Sequence, residues 1–356
     1  MNNKVRAIAF YLPQFYPTPE NDEWWEPGFT EWTNVAKAKP LFKGHYQPRI
    51  PRDLSFYDLR VPETREKQAQ LAREAGIEGF CYWHYWFAGR RLLDKVFTEV
   101  VESGKPDYPF CLCWANHSWY QKTWDPTKPD KLLIEQTYPG EQDYIDHFNA
   151  MLPAFKDKRY MKVGGKLIFG IFDSDHVKDF SLMKKIWNQM AKDNGLDGFY
   201  FFGFCQGEHR LEKTKVQGYD SIVYEHMPTV FKSLKETLRY TFLRRYLKKP
   251  IMLPYSKYME EATRYFKEHS SLLPCLLPNF DHSPRSARKG IIMVNESPQK
   301  WYKFCSDVRR IRENVEDKEI LIFIKAWNEW GEGNYLEPDQ KFGKGFIEAT
   351  YKAFKQ

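Results

Sequence analysis

One stretch of the sequence decides the fold: Ile320-Leu321-Ile322-Phe323-Ile324-Lys325-Ala326-Trp327-Asn328-Glu329-Trp330-Gly331-Glu332-Gly333. Its apolar start is short enough to be a buried strand, and the glycines that follow disfavour further strand or helix. Two carboxylates three residues apart therefore leave the end of a buried strand on a loop rich in aromatic residues. Desolvating a carboxylate costs free energy, so this placement favours acid/base chemistry. The alternative is a solvated loop whose glutamates cap a following helix.

Composition limits the classes of function open to the chain. The sequence has 356 residues and a net charge of +7, with 12 Trp, 22 Tyr and 27 Phe, more rings than a core alone normally uses. No basic run alternates with aromatic residues on a recognised module, so we expect no nucleic-acid partner. The six cysteines show no metal-ligand spacing, and most lie in strand-like runs, which predicts buried thiols rather than disulfides.

Short apolar runs alternate with amphipathic stretches along the whole chain, which predicts a (β/α)8 TIM barrel forming one catalytic domain over residues 1–356. The predicted strands are Val5–Tyr11, Ile77–Trp83, Phe110–Trp114, Lys166–Phe172, Phe199–Phe204, Ser221–Tyr224, Leu272–Leu277 and Ile320–Ala326. The predicted helices are Pro62–Ala75, Leu92–Ser103, Gln142–Phe155, Ser181–Asp193, two patterns within residues 229–268, Ser297–Asn314 and Gly345–Phe354. Residues 12–59 read as a long loop without convincing periodicity.

Aromatic and polar residues follow the ends of the predicted strands. In a barrel all of these ends meet on one face, where long βα loops would form the active site. An aromatic cleft containing Asn, Asp, Glu and His suits a carbohydrate, because sugar rings stack on aromatic faces and hydroxyls need both donors and acceptors.

Glu329 and Glu332 supply the acid and the second carboxylate that cleavage of a glycosidic bond requires. Their sequence spacing does not separate an inverting from a retaining outcome. We expect a structural role for Glu337. We expect neither a metal nor a cofactor: His84, His117 and His282 lack ligand spacing, and no phosphate-binding glycine motif is present.

Residues 232–249 form a basic amphipathic pattern, with apolar residues at steps of four. The simpler interpretation is an outer barrel helix with a solvated basic face. The other is peripheral contact with an anionic membrane or a lipid-linked glycan. The N-terminal residues show no apolar signal segment, so we expect a cytoplasmic location.

Six segments spread over nearly the whole chain carry a resemblance to a known family: Ala9–Phe15, Glu20–Trp25, Gly28–Val35, His45–Arg49, Gly79–Phe87 and Trp327–Gly333. The family that they resemble is the WbsX-type, glycoside hydrolase family 99-like domain proteins, which are associated with lipopolysaccharide or capsule biosynthesis. Family 99 itself contains retaining endo-acting α-mannosidases and mannanases on a (β/α)8 barrel. Its Asn-Glu-Trp-His-Glu-Gly motif is similar to residues 328–333, except that this chain has Gly331 in place of the His.

The resemblance implies that Glu329 removes the proton of the sugar's 2-hydroxyl, so that O2 attacks C1 and forms a 1,2-anhydro sugar. Glu332 would protonate the leaving oxygen and later deprotonate water. The substrate-binding candidates are Tyr11, Gln14, Trp24, Trp25, Glu31, Trp32, His45, Tyr46, Tyr82, His84, Trp114, Asn116, Asp281, Trp327 and Asn328.

We therefore predict a retaining endo-glycoside hydrolase that acts on a microbial polysaccharide. A glycosyltransferase or transglycosylase of cell-surface polysaccharide biosynthesis is the first alternative, and Asp173-Ser174-Asp175 has the spacing of a metal-binding DxD motif. A non-catalytic glycan-binding barrel is the second.

Overall fold

The computed structural model describes residues 5–122, 129–227, 238, 240–243, 246, 249–315 and 319–355. The central sheet has nine strands: eight follow one another in the order in which they occur in the chain, and the short strand Lys162–Val163 pairs in antiparallel fashion with Lys166–Ile171. This is the predicted (β/α)8 barrel topology. The eight strands are Val5–Tyr11, Gly79–His84, Phe110–Trp114, Lys166–Ile171, Phe199–Gln206, Ser221–Glu225, Leu273–Leu276 and Ile320–Ile324.

Helices lie between the strands, as the amphipathic pattern predicts. The longer helices are Pro62–Glu74, Lys95–Ser103, Glu141–Phe155, Phe180–Asp193, Glu208–Val216, Tyr255–Glu268, Pro298–Glu313 and Gly345–Lys355. The remaining short elements are the helices Pro19–Trp24, Glu31–Lys37, Ser283–Ser286, Ala287–Lys289 and Trp330–Glu332, and the strands Trp86–Phe87, Arg90–Arg91, Trp119–Gln121, Lys131–Ile134, Lys162–Val163, Ile251–Pro254, Ile291–Val294, Asn328–Glu329 and Asn334–Tyr335.

The chain divides into two compact units. The first contains Met1–Ile77, His226–Ser271 and Cys275–Gln356, and the second contains Glu78–Glu225 and Leu272–Pro274. In the first unit the Val5–Tyr11 strand pairs in parallel with Ile320–Ile324, which also pairs with Leu273–Leu276. In the second unit the five strands from Gly79–His84 to Ser221–Glu225 pair in parallel in chain order. That residues 1–356 form one catalytic domain stays a prediction.

Two short helices lie in the region that the sequence suggested was an irregular loop. Thr18 caps Pro19–Trp24 by accepting a hydrogen bond from the Asn21 amide, and Thr30 begins Glu31–Lys37 with a capping box. The sequence shows these caps, but helices of six or seven residues are too short for a hydrophobic period to register. The helix Glu208–Val216 was also not predicted, because its sequence is dominated by charged residues.

The core of each unit is apolar and contains buried cysteines. The Ile320–Ile324 strand is buried at all five positions, as expected for a strand covered on both faces. All six cysteines are described and buried, and none of them forms a disulfide, as predicted. Among the residues that the structure describes, no helix combines the length and the apolar character needed to cross a bilayer.

Most of residues 232–249 lies outside the described residues, so the predicted contact with an anionic membrane or lipid-linked glycan stays a prediction. Of the residues that are described there, Leu238, Phe242 and Tyr246 are exposed, whereas Tyr240 packs with Ile251 and Leu253.

Candidate active site

The carboxylates Glu329 and Glu332 lie on a tight hairpin that follows the eighth strand. Strand Asn328–Glu329 pairs in antiparallel fashion with Asn334–Tyr335, and a 3-10 turn over Trp330–Glu332 joins them. Gly333 closes the turn at a φ of 53°, and a Cβ there would lie 2.7 Å from the Cβ of Asp281. Only glycine fits such a position without strain.

The hairpin is anchored to the first strand's end and to the loop that follows it. The Asn328 side chain accepts a hydrogen bond from the Leu12 amide at 2.8 Å and donates one to the Leu12 carbonyl at 3.0 Å. The Trp330 ring stacks on Tyr335 with centroids 3.7 Å apart and contacts the predicted aromatic residue Trp32 at 5.6 Å. The aromatic residues of the motif therefore hold the turn in place, and Trp327 and Trp330 are fully buried.

Glu337 is a buried carboxyl beneath this turn. It accepts hydrogen bonds from Trp330 Nε1 at 2.6 Å, Tyr57 Oη at 2.8 Å and Gln68 Nε2 at 2.6 Å. Burial nevertheless raises the pKa of Glu337 to about 7. These contacts agree with the structural role predicted for it.

Because the folded protein holds the Glu337 proton more tightly than the unfolded chain does, this group stabilises the fold most below pH 4.5. Its contribution is lost as the pH rises through about 7. We expect the free energy of unfolding, measured by urea titration, to fall by about 3 kcal/mol between pH 4.5 and 8 on account of this one group. In Glu337→Gln, which cannot titrate, this pH dependence should vanish. An unchanged pH dependence in that variant would contradict the assignment.

Five charged side chains meet around the turn. Lys325 Nζ lies 3.5 Å from a Glu332 oxygen and 3.9 Å from a Glu329 oxygen. Arg285 Nη1 donates to Glu332 at 2.5 Å, while its Nη2 and Nε lie 3.0 Å and 3.2 Å from Glu31 Oε2. Gln14 donates to the other Glu31 oxygen at 2.6 Å. The cluster therefore contains three carboxylates and two cations, and each carboxylate touches at least one cation.

The two candidate catalytic carboxylates differ in their surroundings. Burial alone would raise the pKa of Glu332, but Lys325 and Arg285 outweigh it and hold that pKa well below its usual range. A hydrogen bond from Glu329 lowers it further. In the free protein Glu332 is therefore an anion.

Gly331, the one position at which the chain departs from the family 99 motif, lies against Glu31 and Arg285. A Cβ at this position would lie 1.8 Å from Glu31 Oε2 and 3.1 Å from Arg285 Nε. The first distance is far inside van der Waals contact, so any side chain would displace Glu31. The Glu31–Arg285 pair occupies the space beside residue 331.

Asp281 and His45, both predicted substrate-binding residues, belong to a buried network next to the turn. His45 Nδ1 accepts a hydrogen bond from the Leu41 amide, so Nε2 carries the proton and donates to Asp281 at 2.8 Å. Gln47 Nε2 also donates to Asp281 at 2.7 Å, and Arg49 lies 3.8 Å away. Burial would raise the pKa of Asp281, but these partners, His45 first, lower it to about 2. The Asp281 amide donates to the Glu332 carbonyl, which links the network to the turn.

Other predicted substrate-binding residues of the first unit differ in their exposure to solvent. Trp25 is 43% exposed and stacks on Phe29, and Trp24 is half-buried. Tyr46 is half-buried, and its hydroxyl has no hydrogen-bond partner within the described parts of the chain. Tyr11 is buried and donates to Gln68 at 2.7 Å.

The predicted residues of the second unit are buried and contact other side chains and backbone groups of that unit. His84 Nε2 lies 2.8 Å from His147 Nε2, and burial lowers the pKa of His84 to about 3, so this pair is neutral at neutral pH. Tyr82 packs among phenylalanine rings, and Trp114 donates to the Trp86 carbonyl. Asn116 donates to Tyr138 at 2.9 Å and accepts from the Asp173 amide. As with the other candidates, their part in substrate binding stays a prediction.

In the second unit, Asp173 and Asp175, which have the DxD spacing, both form ion pairs with an arginine side chain. The Arg210 guanidinium contacts both Asp173 and Asp175, and its Nε donates to Asp175 at 2.7 Å. Within the described residues, Asp173, Asp175 and His176 form a group whose ligand atoms lie within 4.8 Å of one another. A metal ion there would have to displace Arg210.

Sequence reasoning missed Lys325 and Arg285. Lys325 stands inside the quoted motif, and its place between a buried strand and two glutamates is a signal that could have revealed it. Arg285 lies 47 residues before Glu332, and nothing in its local sequence indicates the contact.

Comparison with known proteins gives results consistent with this geometry. A family model described as "Glycosyltransferase WbsX" matches residues 7–350. Two proteins of Xanthomonas campestris pv. campestris, each named "Uncharacterized protein WxcX", are 34% identical over 349 residues, which is 97% of this chain and 49% of theirs. The chain thus spans about half the length of these curated relatives.

Two solved structures share the fold over almost all of their length. One is a "Glycoside hydrolase-like protein" (TM-score 0.63, 13% identity, 99% of this chain and 94% of that one). The other is the glycoside hydrolase family 99 endo-α-mannosidase of Bacteroides thetaiotaomicron (TM-score 0.58, 14% identity, 98% and 96%). These likenesses confirm the barrel, and the family model together with the relatives shows that the chain belongs to the WbsX glycosyltransferase family.

Proposed function

We propose that the protein is a retaining endo-acting glycoside hydrolase that cleaves an α-mannoside-like linkage of a microbial polysaccharide through a 1,2-anhydro sugar. The observation that carries this proposal is the Glu329–Glu332 pair. The two carboxyl groups are hydrogen-bonded to each other and share Lys325 at the end of a barrel strand. Active sites of barrel enzymes lie at this end of the strands.

The contact between the two carboxyl groups favours a retaining mechanism. Inverting glycosidases keep their carboxylates about 6.5–9.5 Å apart, which leaves room for a water molecule between the acid and the base. A pair in hydrogen-bond contact has no such room. The proximity suits a mechanism in which the sugar's own 2-hydroxyl, rather than a water, attacks first.

Each carboxyl then has one role in each half of the reaction. Ionised Glu329 takes the proton of the 2-hydroxyl while O2 bonds to C1, and protonated Glu332 gives its proton to the oxygen that leaves C1. In the second half Glu332 deprotonates a water that attacks C1, the C1–O2 bond breaks, and O2 recovers the proton from Glu329. After the first half Glu329 holds a proton and Glu332 is an anion, and the anion is the form of Glu332 that Lys325 and Arg285 favour in the free protein.

Product analysis tests the proposal. The purified protein is incubated with bacterial surface polysaccharides and α-mannans, and the anomeric protons of new reducing ends are followed by NMR from the first turnover. We expect internal cleavage with retention of configuration. Inverted products would contradict the mechanism.

Transfer from an activated donor is the second candidate, because the family bears a glycosyltransferase description. Titration calorimetry with nucleotide sugars and Mn²⁺ separates the two functions. The occupation of Asp173 and Asp175 by Arg210 argues against a donor-metal site there, so we expect no Mn²⁺-dependent binding of nucleotide sugars. Such binding would favour transfer. A glycan-binding barrel without catalysis would show affinity but no product.

A further inference from the structure

Arg285 has no assigned part in the chemistry above, yet it contacts one of the two catalytic carboxylates. Its guanidinium binds Glu31 through Nη2 and Nε and Glu332 through Nη1. It comes from the short helix Ser283–Ser286, in the loop after the seventh strand. A guanidinium stays charged at any working pH and binds carboxylates and phosphates through paired hydrogen bonds.

Arg285 is also the most accessible member of the charged cluster. Its side chain is 25% exposed and that of Glu332 is 17% exposed. Glu31, Glu329 and Lys325 are between 6% and 9% exposed. A sugar entering the site therefore meets the Arg285–Glu332 edge first.

The charge balance of the cluster changes when the site is set for reaction. The proposed mechanism needs a proton on Glu332, and that proton removes one of the two counter-charges of Arg285. A guanidinium that is three-quarters buried and has lost a counter-charge is destabilised. A negative group on the incoming sugar would restore the balance.

The same exchange would free Glu332 to act as an acid. Arg285 and Lys325 are the two cations that hold the pKa of Glu332 low. An anion that draws Arg285 away from Glu332 would raise this pKa. A neutral sugar leaves the Arg285–Glu332 contact intact.

The neighbourhood of Arg285 suits an anionic polymer. Gly331 has no side chain, which leaves room for the guanidinium and its Glu31 partner beside the turn, where a Cβ would lie 3.1 Å from Nε. Two further basic residues of the same loop, Arg288 and Lys289, are exposed to solvent. Exposed cations beside a site raise the local concentration of an anionic ligand.

We infer that Arg285 is the receptor for an anionic substituent, carboxylate or phosphate, on the sugar bound at Glu329 and Glu332. This inference rests on the proposed function and narrows its substrate class to acidic polysaccharides. Arg285 is thus the residue that determines specificity, and Glu31 holds it in place.

Binding of three matched glycosides tests the inference without turnover. The probes are methyl α-mannopyranoside, the same glycoside with a carboxylate at C6, and its 6-phosphate, titrated against the wild-type protein by calorimetry. We expect one or both acidic probes to bind about 10- to 100-fold more tightly than the neutral one. The stronger of the two acidic probes identifies the anion. Equal affinities, preference for the neutral glycoside, or no binding of any probe would overturn the inference.

Two variants separate a specific contact from general positive charge. Arg285→Gln should abolish the preference for the acidic probes, whereas Arg288→Gln, which removes a cation from the same loop, should keep it. Equal losses in both variants would show that the loop attracts anions only through its net charge, and this would also overturn the inference. The comparison of probes on the wild-type protein does not depend on whether Arg285→Gln folds.

Failure of the inference and failure of the proposed function give different results. If neutral mannans are cleaved with retention of configuration and the three probes bind equally, the proposed hydrolase function is supported and the role of Arg285 in binding an anion is rejected. If the wild-type protein prefers the acidic probes, Arg285→Gln loses this preference and no polysaccharide is cleaved, the inference is supported and the proposed hydrolysis is rejected. The site would then bind an anionic glycan without hydrolysing it.

Discussion

Glu329→Gln and Glu332→Gln should each lower kcat on a polysaccharide substrate by about 10³-fold or more, since each removes a group that transfers a proton in both halves of the reaction. Gln has nearly the same shape as Glu but cannot exchange a proton at these positions. The measurement is the initial rate of reducing-end formation, with folding checked by circular dichroism. Glu348→Gln, at an exposed position of the last helix, is the matched control and should be silent.

The two variants should differ on an activated substrate. An aryl glycoside with an acidic phenol needs little protonation as its C1–O bond breaks, so it should recover much of the lost rate in Glu332→Gln. It should not do so in Glu329→Gln, where the 2-hydroxyl keeps its proton. Equal recovery of the rate in both variants would contradict the separate roles of Glu329 and Glu332. Near-wild-type activity of both variants on the polysaccharide would show that neither carboxylate takes part in catalysis.

Asp281→Ala should have the largest effect on stability. The Asp281 carboxylate is fully buried and accepts hydrogen bonds from His45 and Gln47, and it lies 3.8 Å from Arg49, which is itself 3% exposed. Removing it leaves the buried guanidinium with Glu296 as its acidic partner, at 3.4 Å. Breaking a buried ion pair in this way costs about 3–5 kcal/mol, measured as the free energy of unfolding in urea.

An exposed pair provides the comparison for Asp281. Asp58, one-third exposed and paired with Arg60, should lose less than about 1 kcal/mol in Asp58→Ala. The pH dependence gives a second reading: the pKa of Asp281 is about 2, below its ordinary value, so its stabilisation is present above about pH 4 and is lost as the pH falls towards 2. Asp281→Ala should lose this acid dependence. An equal loss of stability in both variants would contradict the buried ion pair.

The fold was readable from the sequence because each barrel strand is a run of apolar residues bounded by breaks. Val5–Tyr11 and Phe110–Trp114 have the predicted bounds, and the predicted strand Ile320–Ala326 ends two residues early, at Ile324. Lys325 and Ala326 belong to the site rather than to the sheet. Helices were missed where the sequence carries little hydrophobic period: Glu31–Lys37 is too short to show one, and Glu208–Val216 is dominated by charged residues.

The charged surroundings of the site could not be predicted in the same way. The motif identified Glu329 and Glu332, but their protonation depends on Arg285 and Lys325, and the contact with Arg285 spans 47 residues of sequence. Asp281 was expected to line the cleft, and the structure surrounds it with His45, Gln47 and Arg49. Sequence patterns indicate which residues follow a strand but not which of them neutralise each other.

The close approach of Gly331 to Glu31 has a consequence for the evolution of this fold. A side chain at residue 331 would displace the Glu31 carboxylate from Arg285, because a Cβ would stand 1.8 Å from Glu31 Oε2. The two positions are 300 residues apart in the chain, yet a substitution at one changes the space available to the other. Among related sequences we therefore expect glutamate at the first position to occur more often together with glycine at the second than with a bulkier residue there.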